Sequence, residues 1–141
     1  MKLYLAGPLF TTAERMFNVS MARYLEGQGF EVWLPQEHEP RELSAKTIFE
    51  EDVRGIDWAD AVLACLDGPD PDSGTCWECG YAYGKGKQVF TYRTDFRKAG
   101  DGVLAPVNLM LSESSEGPMV WDSPADFEIV AVYVVAMLRG E

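Results

Sequence analysis

Apolar positions along this chain alternate between compact runs and helical spacing, and the alternation itself predicts an architecture. KLYLA (residues 2–6) is a brief apolar run closed by Gly7-Pro8. The following stretch sets Phe17, Met21, Tyr24 and Leu25 on one helical face, with Thr11 and Glu14 at capping-box spacing. FEVWLP (30–35) predicts a second strand ended by Pro35, and KTIFEEDVRGIDWA repeats Ile48, Phe49, Val53 and Ile56 near helical period. DAVLACLD (60–67) is a continuous apolar run between aspartates, as a central parallel strand covered on both faces requires.

A turn-rich loop, GPDPDSG, leads into a helix expected from Thr75 to about Lys85, which the glycines of GKGK end. QVFTYR (88–93) reads as the fourth strand, and residues 94–118 as a loop with one compact apolar piece, VNLML. MVW (119–121) predicts a fifth strand, and the final helix is expected to start with Ser123 as N-cap and Pro124 at its first position. Strand-helix alternation implies a flavodoxin-like α/β fold: an open, mostly parallel five-stranded sheet with helices on both faces. Right-handed crossovers favour the order 2-1-3-4-5. A length of 141 residues without repeat or linker is expected of one domain.

Charge narrows the partners. Twelve Lys plus Arg against 23 Asp plus Glu give a net charge of −11, which repels phosphate backbones and disfavours nucleic acid and anionic membranes. The N-terminal apolar run is too short for a signal peptide, so a cytoplasmic location is expected. Three cysteines, an odd number, argue against a disulfide framework.

In open α/β sheets ligands gather at the carboxyl ends of the strands, where AGPLF, LPQEHEP, DGPDPDSGT and the loop after TYR should meet. Within DPDSGTCWECGYAYGKGK, Cys76 and Cys79 admit a redox reading. A zinc site would need further ligands, and His38 is the only histidine. Packing as small apolar residues is the commoner fate of such cysteines. Glu78, in the first turns of its helix, is either a partner for the helix N-terminus or a nucleophile kept ionised by the macrodipole. Asp60, Asp67, Asp70 and Asp72 surround the central strand, and two carboxyls in one cleft divide into an ionised nucleophile and a protonated acid. Asp72 and its neighbours are equally good turn and cap chemistry. Phe10, Trp33 and Trp58 are candidate cleft walls, although such aromatics are more often core than site. No glycine-rich nucleotide fingerprint occurs, and neither metal nor organic cofactor is required.

YLAGPLF, ADAVLACLDG, the spacing of Asp72 and Glu78 within DSGTCWECGYAYGKGK, and VNLML, in that order over residues 4–111, together resemble the nucleoside 2-deoxyribosyltransferase family. The resemblance implies a flavodoxin-like fold and transfer of 2-deoxyribose between nucleobases through a deoxyribosyl-glutamate ester, as in nucleoside salvage. Carried over, Glu78 is the nucleophile and Asp60 the acid and base facing the nucleobase. Tyr4 lies near the nucleophile, Asp72 holds the sugar, and Asn108 reaches a neighbouring subunit's sugar site, which implies a homo-oligomer. Phe10 belongs with the substrate-binding residues. The chain ends MLRGE, so no aromatic C-terminal contact is carried over. A related branch hydrolyses deoxynucleoside 5′-monophosphates with a serine-rich phosphate pocket. Here GPLFTT and the acidic Asp72 favour a neutral nucleoside. Hydrolysis through the same Glu78, and a noncatalytic nucleotide-binding or redox module, are the alternatives.

Overall fold

The computed structural model describes residues 1–100 and 104–141. In chain order the elements are β1 (Lys2–Ala6), α1 (Thr12–Gly27), β2 (Glu31–Trp33), a 3-10 turn (Pro35–Glu37), α2 (Ala45–Trp58) and β3 (Ala61–Cys65). There follow α3 (Ser73–Gly84), β4 (Gln88–Arg93), α4 (Leu109–Glu113), β5 (Glu116–Val120) and α5 (Phe127–Arg139). The five strands form one sheet in the order β2-β1-β3-β4-β5, and every pairing is parallel. The flavodoxin-like α/β class read from the alternation is the one the chain adopts.

Side chains on a strand alternate between faces, so the two central strands each feed two cores. Leu3, Leu5, Ala61, Leu63 and Cys65 pack with α1 and α5. Tyr4, Ala6, Val62, Ala64 and Leu66 pack on the other face with Ile56 of α2, Cys79 and Ala82 of α3 and Leu111 of α4. All of β3 is buried, which explains its uninterrupted apolar run.

Local chemistry sets the helix starts. Thr11 and Glu14 close the expected capping box on α1, and Ser44 with Thr47 closes another on α2. Asp72 caps α3 by accepting from the Thr75 amide at 3.0 Å. Helix α5 departs from expectation. It begins at Phe127 with Asp126 as N-cap, and Ser123 and Pro124 precede it. The intervening residues carry Ala125 and Phe127 to the core beneath α1, where the Phe127 ring meets Phe17 edge-on at 5.6 Å. The VNLML segment supplies a short helix, α4, inside the presumed loop. Strand β5 starts earlier than expected and includes Pro118, tolerated because β5 is an edge strand.

The loops at the carboxyl ends of β3 and β4 are tied together by a buried cation. Arg93 donates to the carbonyls of Leu66 (2.5 Å), Gly68 (2.8 Å) and Arg97 (2.9 Å). Asp67 accepts from the amides of Thr94 (2.6 Å) and Asp95 (2.9 Å). The entry into α3 is thereby anchored to the sheet. Among the described residues no helix is long and apolar enough to cross a membrane.

Candidate active site

Tyr4 is fully buried at the middle of β1, and its side chain leaves the sheet toward the side where α2 and α3 pack. Its hydroxyl donates to Glu78 Oε1 at 2.6 Å, joining a strand to a helix across 74 residues of chain. Glu78 is half-buried, on the flank of α3 that looks toward β1 and α2. Burial is the main reason its carboxyl is pushed up to about 7. The Tyr4 hydrogen bond opposes the rise, and the negative charges of Asp52 and Asp72 add to it. Burial, and then Glu78 and Asp52, hold the Tyr4 phenol protonated far above its ordinary range.

Asp52, which the reading of the sequence did not single out, completes the group. It sits on α2, half-buried, and meets the Tyr4 hydroxyl; burial raises its carboxyl above the usual carboxylate range, Tyr4 opposes the rise and Glu51 adds to it. The signal was present in the periodicity. Ile48, Asp52 and Ile56 stand four residues apart, so Asp52 shares one helix face with the buried Ile56 and with Ile48, which lines the cavity beside it.

Asp52 also lines a cavity of about 250 Å³ at the carboxyl ends of β1 and β2. Leu9, Pro35, Pro40, Leu43 and Ile48 supply apolar walls, Gln36 and His38 polar edges, and Arg15, Glu39 and Glu51 charged ones. The wall is fixed from behind. His38 stacks on Trp33 with ring centroids 3.8 Å apart, and Gln36 donates to the Arg15 carbonyl at 3.0 Å while its oxygen accepts from Asn18. Trp33 in turn lies against Gly55 of α2, where a β-carbon would stand 2.5 Å from the indole nitrogen.

The other expected residues fall at different distances from this group. Asp72 caps α3 and still acts electrostatically on Glu78, so capping and the site share one side chain. Asp60 is not brought to the cluster. It heads β3 at the amino end of the sheet, is exposed, and accepts from the Lys2 amide at 2.7 Å. In a parallel sheet that is the edge opposite the ligand-gathering loops. Phe10 lies in the β1–α1 loop with 75% of its surface exposed, and its neighbour Leu9 is the one that lines the cavity. Asn108 caps α4 through the Met110 amide at 3.0 Å. It lines a groove with Cys76, Gly80 and Tyr83, on the flank of α3 turned about 160° away from Glu78. Trp58 packs near the Lys2 ammonium, also at the amino edge.

Burial raises both cysteines of the CxxC, Cys79 to about 12, and both are free thiols, the reverse of an activated redox pair. Among the described residues no group of three His, Cys, Asp or Glu side chains is placed to hold a metal.

The arrangement therefore offers a half-buried carboxyl pushed up to about 7, a phenol bonded to it, and a second raised carboxyl lining a cavity of about 250 Å³. Comparison with known proteins identifies the family. No curated sequence matches the chain. Among solved structures, a 2-deoxyribosyltransferase from Bacillus psychrosaccharolyticus shares 28% identity and a TM-score of 0.74, covering 98% of this chain and 96% of that one. A 2-deoxyribosyltransferase from Leishmania mexicana shares 25% at a TM-score of 0.72, covering 99% of each. A CMP N-glycosidase from Clostridium botulinum, 19% identical with a TM-score of 0.66 over 96% of this chain and 98% of that one, shares the fold. The family model for nucleoside 2-deoxyribosyltransferase matches residues 3–110, the span that contains β1, α2 and α3 with Tyr4, Asp52 and Glu78, and the chain accordingly belongs to that family of enzymes.

Proposed function

We propose that this enzyme transfers 2-deoxyribose between nucleobases of 2′-deoxynucleosides by double displacement, with Glu78 as nucleophile and Asp52 as the acid and base. The observation that carries the reading is the 2.6 Å hydrogen bond from Tyr4 to a half-buried Glu78, with Asp52 against the same hydroxyl at the cavity. Burial pushes the Glu78 carboxyl up to about 7, so its ionised, nucleophilic form is accessible near neutral pH.

In the first half-reaction a Glu78 carboxylate oxygen bonds to C1′ as the C1′–N bond breaks. The departing base takes the Asp52 proton and the electron pair of the broken bond. Tyr4 donates its one hydrogen to Glu78 Oε1 and stands against Asp52, so the phenol links the two carboxyls. In the second half-reaction another base, deprotonated by Asp52, attacks C1′ and releases the Glu78 carboxylate. The apolar cavity wall favours a flat base over water as the acceptor. Asp72 supports the sugar side, and Asn108, facing away from its own Glu78, is suited to a neighbouring protomer's site.

The test is a trap. A 2-fluoro-2-deoxy nucleoside slows oxocarbenium formation, so wild-type protein should gain the mass of one fluorinated sugar on the peptide containing Glu78 and lose it when a second base is added, with a new nucleoside appearing. An adduct on another side chain, or steady turnover of deoxynucleosides with no adduct formed, overturns the mechanism.

A further inference from the structure

Trp33 is placed by packing rather than by a polar tether. Its indole nitrogen is buried and makes no hydrogen bond among the described residues, although a buried Trp N–H ordinarily finds a partner. A β-carbon at Gly55 would lie 2.5, 2.7 and 2.8 Å from Nε1, Cε2 and Cδ1 of that indole. Near-equal distances to three consecutive ring atoms put the point over the face of the five-membered ring, not beyond its edge. The His38 ring stacks on the indole at 3.8 Å and 12°. One face cannot hold both a stacked ring and a helix backbone at these distances, so the indole is sandwiched between His38 and the bare backbone of Gly55. Glycine is a poor residue inside a helix, and Gly55 has no positive φ to require it. What it supplies is room.

We propose that Gly55 is a specificity-determining position: its missing side chain lets Trp33 and His38 stand back far enough for the cavity to admit the two-ring bases of purine 2′-deoxynucleosides. This rests on the reading that the cavity receives the nucleobase. His38 lines the cavity and Trp33 backs it. An alanine at 55 would stand roughly 1 Å inside ordinary carbon contact with the indole. Helix α2 cannot simply retreat, because Ile56 is fully buried and Asp52, one turn earlier, meets Tyr4. Trp58, tilted against Trp33 at 5.7 Å, limits sideways escape. His38 is already at stacking distance, so the displacement passes through the indole to the cavity wall. A purine exceeds a pyrimidine by one fused ring, and an advancing wall penalises the larger base first.

Equilibrium dialysis with free adenine and free thymine, alongside kcat/KM for deoxyadenosine and thymidine, tests it. In Gly55→Ala the purine-to-pyrimidine ratio should fall roughly tenfold or more in both measurements, with thymine binding kept within about threefold of wild type. Adding His38→Ala to that variant should restore the ratio, a rescue that a general loosening of the fold would not give. His38→Ala alone reads the same wall without stressing α2, and should raise the ratio roughly threefold even if Gly55→Ala does not fold. A ratio unchanged in Gly55→Ala, one left depressed by the added His38→Ala, a ratio lowered by His38→Ala alone, or a wild type that takes up no purine would each overturn the proposal. A wild type that binds both bases but transfers no deoxyribose ends the transfer reading instead, and the dialysis ratio then decides this one.

Discussion

Glu78 shows what placing a carboxyl in a packed site costs the fold. Its carboxyl sits near 7 in the folded protein and near its ordinary 4.5 in the unfolded chain, because burial penalises the charge. Between those values the native state retains a proton that the unfolded state has lost, so stability falls as pH rises through this window and levels off above it. Glu78→Gln keeps an oxygen to accept from Tyr4 and never ionises. The variant should lose at least about a thousandfold in turnover, yet be more stable than wild type by about 1–3 kcal/mol at pH 8, with the gain fading toward pH 4.5. Urea unfolding at both pH values measures this. Equal stability of the two proteins at pH 8 would mean that Glu78 is not strained by its surroundings.

Helix α2 and strand β3 decide between two candidate acids. Asp52 is presented by the packing face of α2 against Tyr4, whereas Asp60 is tied to the Lys2 amide at the far edge of the sheet. Asp52→Asn should therefore cut transfer by about a hundredfold or more, most severely with bases that leave poorly without a proton. Asp60→Asn should stay within a few fold. Steady-state kinetics with two deoxynucleosides of different leaving-group basicity distinguish these outcomes, and the reverse pattern would return the acid to β3. The fold was legible because β1, β3 and β4 are buried runs separated by periodic helices, and the nearness of Glu78 to Tyr4 and Asp72 was legible because each lies in a compact local motif. Asp52 escaped because periodicity was read for its apolar members, Ile48 and Ile56, and the acid between them passed as surface. The start of β5 escaped because Pro118 argues against a strand unless it is known to be at an edge.

At the scale of the whole molecule, Glu78 and Asn108 lie on opposite flanks of α3, so a site that uses both must draw them from two chains. Glu78→Ala and Asn108→Ala proteins, each impaired alone, should regain activity when mixed under conditions that allow subunit exchange, up to about a quarter of wild type for a two-fold pair. No recovery in exchanged mixtures would confine Asn108 to capping its own helix. Tyr4, Asp52 and Glu78 are borne by a strand and two helices, while much of the cavity wall belongs to the connection from Pro35 to Leu43. If the cavity receives the base as proposed, evolution can revise which guests are admitted by editing a surface connection, leaving Tyr4, Asp52 and Glu78 on a chassis that those edits do not touch.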